Sequence, residues 1–330
     1  MKGDYDMNPY IGHDSQYYGI EEHRLVGGKG DGMRLVEVNN GSGIEATISV
    51  DRNADLSRLR FKGVNLGYFS PCGYTAPTYY ESKGADWLKT FTCGFLTTCG
   101  LQAVGTPCND MGEELPLHGS IGNTPAEELR FYEEDDKLIV KTKTIDEGIF
   151  SRKLRLNRTY IFPIGKNYFT YTDVIENTGD KDEPCEVLYH MNMGYPLLDE
   201  DSIVKIDSGD ITPRDEHAGE DIENWMNMEK PTPQYVERCY YHKMKTAAGH
   251  ASIFQPKLNT GISIDYDASD LDCFVEWKMM GVRDYVLGLE PGNCYPDGRN
   301  VMREKGILKF IKPGKKLVYT IKITMMDKPE

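Results

Sequence analysis

Two short stretches of the sequence carry residue types that could exchange protons. The first, Tyr189-His190-Met191-Asn192-Met193-Gly194-Tyr195-Pro196, follows an alternating run from Cys185 to Leu188 that reads as a strand, and Gly194 and Pro196 mark its end. A histidine at the end of a strand can point into a cleft while the sheet holds its backbone. One hundred positions later, Tyr285-Val286-Leu287-Gly288-Leu289 reads as a second apolar strand, ending in Glu290-Pro291. An imidazole and a carboxylate offered from two strand ends make a general acid and base, so the frame must bring His190 to Glu290. The competing assignment is a buried histidine satisfied by a carbonyl and a glutamate facing water. A second imidazole stands in Leu117-His118-Gly119, where the glycine allows a sharp turn and leaves the ring approachable.

The frame is large enough for that task. A chain of 330 residues builds one large or two ordinary domains, and no internal repeat or linker divides this one. A single domain over 1–330 is expected, with residues 1–40 as an N-terminal extension packed on it. The formal charge is −14, and no run of Lys or Arg exceeds two, which argues against nucleic acid and anionic membrane surfaces as partners. No apolar run approaches the roughly 20 residues that span a bilayer, and the start lacks the apolar core of a signal peptide. A soluble, cytoplasmic protein is expected. Its eight cysteines form no Cys-x-x-Cys pair and are expected to be free thiols.

Strand signals dominate. Ile44, Ala46, Ile48 and Val50 alternate with polar residues, and 138–144, 153–162 and 168–175 are runs of β formers separated by turns. Further strands fall at 251–254, 262–266 and 273–278. A last hairpin is expected from arms at 307–311 and 317–323 about the turn Lys312-Pro313-Gly314-Lys315. Residues 87–105 hold too much glycine and threonine for a stable helix. The glycines of Gly27-Gly28-Lys29-Gly30-Asp31-Gly32 lack the ending of a phosphate-binding loop and read as a turn. Residues 207–235, acidic and with three prolines, read as a long excursion over one face, either a lid or a surface loop. The fold class is all-β, a large antiparallel sandwich with short helical or loop insertions.

Three stretches in order resemble motifs of the galactose mutarotase-like (aldose 1-epimerase) superfamily. They are Leu117-His118-Gly119, Tyr189-His190-Met191-Asn192, and the run from Glu290 through Pro296-Asp297 to Asn300. The resemblance covers the chain from about residue 45 to the end. It departs from the family pattern in an additional residue in the glutamate motif, in the absence of a glutamine after Glu290, and in Trp87-Leu88-Lys89-Thr90-Phe91 standing where an Asn-Arg-Ile element is usual. The pattern is most similar to a poorly characterised aldose 1-epimerase-like branch.

The resemblance implies a large β-sandwich and a cofactor-independent, metal-free isomerase acting on a small carbohydrate. Anomer exchange requires a proton removed from the C1 hydroxyl and one delivered to the ring oxygen. The resemblance assigns Glu290 as the base and His190 as the acid, and a carboxylate beside an imidazolium suits neutral pH. His118 would hold the same ring edge. Lys89, Asn192, Lys278 and Arg299 are candidates for gripping hydroxyls or an acidic substituent, and Trp87 or Trp277 for the apolar face of a pyranose. The alternatives are a carbohydrate-binding or sensing protein without turnover, an epimerase acting at another sugar carbon, and a metal site made by His118, His190 and Glu290. His13, His23, His217, His242 and His250 carry no motif and are expected at the surface. The sugar and the oligomeric state stay open.

Overall fold

Alternation of buried and partly exposed residues sets the architecture. In Lys153–Pro163 the even-numbered residues are buried, from Leu154 to Phe162, and in Tyr168–Asn177 it is the odd-numbered ones. These strands are central in an eight-stranded antiparallel sheet, whose order is Glu128–Glu134, Lys137–Glu147, Lys153–Pro163, Tyr168–Asn177, Lys316–Met326, Thr260–Asp267, Ala248–Gln255 and Ile203–Ile206. The computed structural model describes residues 9–330. A six-stranded sheet faces the first, in the order Ser208–Pro213, Arg238–Met244, Cys273–Met280, Tyr285–Gly292, Glu186–Met193 and Leu96–Leu101. Tyr160, Phe162, Tyr171, Tyr189, Met191, Phe274 and Ile323 belong to one continuous core. A five-stranded sheet, from Gly19–Arg24 to Val64–Asn65, adds Val36, Ile48 and Leu56 to it. The result is the all-β antiparallel sandwich that the alternation implies.

The six-stranded sheet is covered on both faces. Glu186–Met193 and Tyr285–Gly292 are buried at every position, as strands with both faces packed must be. Odd-numbered residues such as Tyr189 and Leu289 join the inter-sheet core. Leu188, on the other face, belongs with Val275, Cys99, Trp87, Phe91 and Met302 to a second apolar cluster. That cluster includes the 3-10 turn Asp86–Thr90 and the helix Arg299–Glu304.

The inter-sheet core contains a buried ionic network around Arg158. Arg158 donates to Asp173 Oδ1 and Oδ2, both at 2.7 Å, to Asp55 Oδ1 at 2.5 Å and to Thr98 Oγ1 at 2.7 Å. Tyr189 completes it by donating its hydroxyl to Asp173 at 2.9 Å. Thr98 and Tyr189 are the neighbours in sequence of Thr97 and His190, so this network fixes two strands directly beneath the outer face of the sheet.

Three expectations change. Phe310–Ile311 pairs with Glu183–Pro184, and Lys316–Met326 pairs with Tyr168–Asn177 and Thr260–Asp267, so the last two segments do not form a hairpin with each other. Neither His190 nor Glu290 ends its strand, because the strands continue to Met193 and Gly292. The 207–235 excursion contributes the edge strand Ser208–Pro213, and its Trp225 and Met228 pack into the inter-sheet core. Among the described residues, no helix is long and apolar enough to cross a membrane. All eight cysteines are free thiols.

Candidate active site

The register brings the two chemical groups together. Leu188 pairs with Gly292 and Met191 with Leu289, which sets His190 opposite Glu290 on neighbouring strands. Residues directly opposite in an antiparallel ladder point to the same face, here the outer one. His190 Nδ1 lies 3.2 Å from Glu290 Oε1. The two atoms are not aligned as a hydrogen bond, and each is buried without a partner; Asn192 Oδ1, two residues along the same face, is a third such atom. Gly288, two residues before Glu290, is what makes room. A Cβ there would lie 2.2 Å from Glu290 Oε1, so the carboxyl folds back over a position that any side chain would contest.

His118 closes the arrangement from a loop. Its backbone φ is 55°, in the left-handed region, and Gly119 follows at 69°, where a Cβ would meet Gly100 O at 2.3 Å. Its Nδ1 accepts from the Gly105 amide at 3.3 Å, which leaves Nε2 as the donor. The His118 and His190 rings are 5.7 Å apart between centroids. Trp87 stands 4.9 Å from His118, while Phe91 and Trp277 stand edge-on to His190 at 5.5 and 5.2 Å. Trp87 is fully buried and acts as a wall; Trp277 is partly exposed and can offer a ring face.

Burial disfavours the charged form of each partner. It pushes the Glu290 carboxyl well above the usual carboxylate range, with help from the charge of Glu237 and against that of Arg214. It pulls His190 down to about 3, with His118 adding to the effect, and His118 to about 4. Burial therefore favours a carboxylic acid beside a neutral imidazole over the carboxylate and imidazolium expected from residue types alone. Both forms carry one proton, so a donor and an acceptor remain side by side.

Two residues absent from the sequence reading join this face. Glu237 accepts from Trp277 Nε1 at 2.7 Å and pairs with Arg214 at 3.1 Å, and Arg214 also donates to Cys239 Sγ at 3.0 Å. No motif marks either one. Only the ladder that sets Cys239 opposite Trp277 places them near Glu290.

Three proposed substrate contacts are placed elsewhere. Lys278 neighbours Trp277 and so faces the inter-sheet side, where it pairs with Glu229 at 3.0 Å and donates to Asn224 O at 3.2 Å. Arg299 is buried in ion pairs to Asp110 at 2.6 Å and Glu113 at 2.7 Å, holding the start of its helix to a β-hairpin. Lys89 shares the turn of Trp87 but its side chain is 65% exposed and paired with Asp86 at 2.9 Å. Among the described residues no group of three or more His, Cys, Asp and Glu side chains is arranged to hold a metal ion.

A family model, the domain of unknown function DUF4432, matches residues 30–325. This chain belongs to the DUF4432 family. No curated protein matches it. Among solved structures, it is similar to a Klebsiella pneumoniae protein provisionally named aldose 1-epimerase, with a TM-score of 0.88 and 24% identity over 95% of this chain and 86% of that one. A galactose mutarotase-like protein from Clostridium acetobutylicum superposes with a TM-score of 0.64 at 18% identity, covering 94% of this chain and 99% of the other. Galactose 1-epimerase from Lactobacillus acidophilus gives 0.63 at 12% identity, covering 94% and 100%. The DUF4432 chain thus has the galactose mutarotase-like fold.

Proposed function

We propose that this DUF4432 protein is a carbohydrate isomerase of the aldose 1-epimerase type. The observation that carries this reading is the pair His190 Nδ1 and Glu290 Oε1, buried, 3.2 Å apart and both without a hydrogen-bond partner. Buried polar atoms are normally satisfied, so an unpartnered donor and acceptor side by side suit a ligand that supplies both partners. In the neutral form, Glu290 delivers its proton to the ring oxygen while His190 takes the proton of the C1 hydroxyl. The ring opens, the C1–C2 bond rotates, and closure on the other face returns both protons.

His118 Nε2 supports the ring oxygen, Asn192 Oδ1 accepts from a hydroxyl, and Trp277 lies against the C–H face. Glu237, held by Trp277 and Arg214, accepts from further hydroxyls. Since Arg214 is already paired and Lys278 and Arg299 are engaged elsewhere, the substrate is a neutral monosaccharide. We also place the protein in the cytoplasm as a single domain.

NMR exchange spectroscopy on neutral sugars tests the reading. Glu290→Gln and His190→Asn should each slow anomer exchange by about 10²–10⁴-fold with the fold intact. Wild-type exchange in either variant removes the proposal. A sugar-binding protein without turnover is the second reading, favoured by how closed the site is, with the His190 and Glu290 side chains only 6% and 2% exposed. Saturable binding with no acceleration of exchange would select it.

A further inference from the structure

His242 was expected at the surface, yet it is completely buried, on the sheet face opposite His190. Ser208 Oγ lies 2.6 Å from its Nδ1, and Glu276 Oε2 lies 3.3 Å from its Nε2. The three residues come from the adjacent strands Ser208–Pro213, Arg238–Met244 and Cys273–Met280. Trp225 packs edge-on to the imidazole at 5.0 Å and Phe274 at 5.9 Å, which locks the ring plane. The geometry points to a second, independent site: a Ser208–His242–Glu276 triad for acyl transfer from small esters.

Each part has a role that its surroundings suit. Glu276 Oε2 accepts a hydrogen bond from Nε2–H, with His242 and Lys278 opposing the rise that burial gives its carboxyl, and this fixes the tautomer whose Nδ1 lone pair faces the serine. Glu276 is a positioning residue, buried, with its second oxygen unpartnered. Ser208, by contrast, is only half-buried and lies on the edge strand of the sheet.

The ladder is irregular at that point. Ser208 pairs with Met244 and Asp210 with Lys243, so Gly209 is the extra residue of a β-bulge and has no place in the pairing. Its amide directly follows the nucleophile, where a donor to a developing oxyanion is needed. A histidine that is merely structural needs both nitrogens satisfied; it needs neither an accessible serine nor a bulge beside it. The residues around Ser208, namely Asp207, Asp210, Lys243 and Lys245, are polar, which suits a short acyl group.

In the reaction, Ser208 Oγ bonds to the ester carbonyl carbon as its proton passes to His242 Nδ1. Collapse of the tetrahedral intermediate breaks the carbon–oxygen bond of the ester, and the leaving alcohol takes that proton. Water then attacks the acyl-serine, giving its proton to His242, and the bond between the acyl carbon and Oγ breaks as His242 returns that proton to Oγ, which frees the serine and the carboxylic acid.

The full chain is treated with a fluorophosphonate probe, whose phosphorus the serine would attack with loss of fluoride, and the modified peptide is located by mass spectrometry. Hydrolysis of p-nitrophenyl acetate is followed in parallel. Labelling of Ser208 is expected, and Ser208→Ala should lower enzymatic hydrolysis by at least about 100-fold. Glu276→Gln should lower the labelling rate, with Glu276→Asp restoring part of it, a rescue that a purely structural role would not produce. No label at Ser208 under conditions that label an active serine hydrolase, or equal hydrolysis in Ser208→Ala, overturns the proposal. Because Ser208 is partly exposed on an edge strand, its alanine variant keeps the test independent of whether the buried variants fold.

Discussion

Replacing Gly288 by alanine tests the claim that the Glu290 carboxyl occupies space that only a glycine leaves. The new Cβ would stand 2.2 Å from Glu290 Oε1 and 3.0 Å from the Trp277 Cβ. Ordinary contact begins near 3.4 Å. The carboxyl oxygen must therefore shift by about 1 Å from its place beside His190 Nδ1, and a displacement of about that size at a reacting group can cost ~10²-fold in rate, or about 2.7 kcal/mol of barrier. The extra methyl should also destabilise the fold by about 1–3 kcal/mol through overpacking. The assay is anomer exchange by NMR at a temperature where circular dichroism shows the variant fully folded. A folded Gly288→Ala protein exchanging at the wild-type rate would refute the reasoning, since the carboxyl would then not need its present position.

Further outcomes follow from the buried charges. His118 titrates near 6.5 when unfolded and near 4 when folded, so between those values the unfolded chain binds more protons. Its contribution is fully present above pH 6.5 and is lost as pH falls through that window, amounting to about 3 kcal/mol. Denaturant titrations should show this pH dependence in wild type and a shallower one in His118→Asn, where His190 still contributes. Because His190 stays neutral to about pH 3, the exchange rate should show no inflection near pH 6.5; one there would restore the imidazolium as the working form. Arg158→Met leaves Asp55 and Asp173 buried and unpaired, and should cost about 3–5 kcal/mol in a chemical denaturation experiment. Trp277→Phe removes the donor that holds Glu237, so the sugar KM should rise by about tenfold with kcat little changed, as measured by exchange at varied sugar concentration.

The local sequence was enough to mark the long central strands, because a period of two is a local property, but not Glu128–Glu134 or Arg238–Met244 nor the pairing of the last two segments. Alternation at 153–162 and 168–175 marked the central strands of the large sheet, and the glycine after His118 marked a turn that the backbone indeed makes with positive φ. The match of three short motifs placed His118, His190 and Glu290 as a set before any distance was known. Local sequence was silent on faces. Lys278 and Trp277 are neighbours, yet one turns to the inter-sheet core and the other to His190, and nothing short of the register could separate them.

Long-range pairing decided the rest. Arg299 is consumed by Asp110 and Glu113, nearly two hundred positions earlier, and Arg214 reaches Glu237 only because an edge strand closes beside it. Protonation was beyond the sequence for the same reason. Residue type gives a carboxylate and an imidazole their ordinary pKa values, but the desolvation that raises the Glu290 carboxyl and lowers the His190 imidazole comes from the walls around them, and the fold alone supplies those walls.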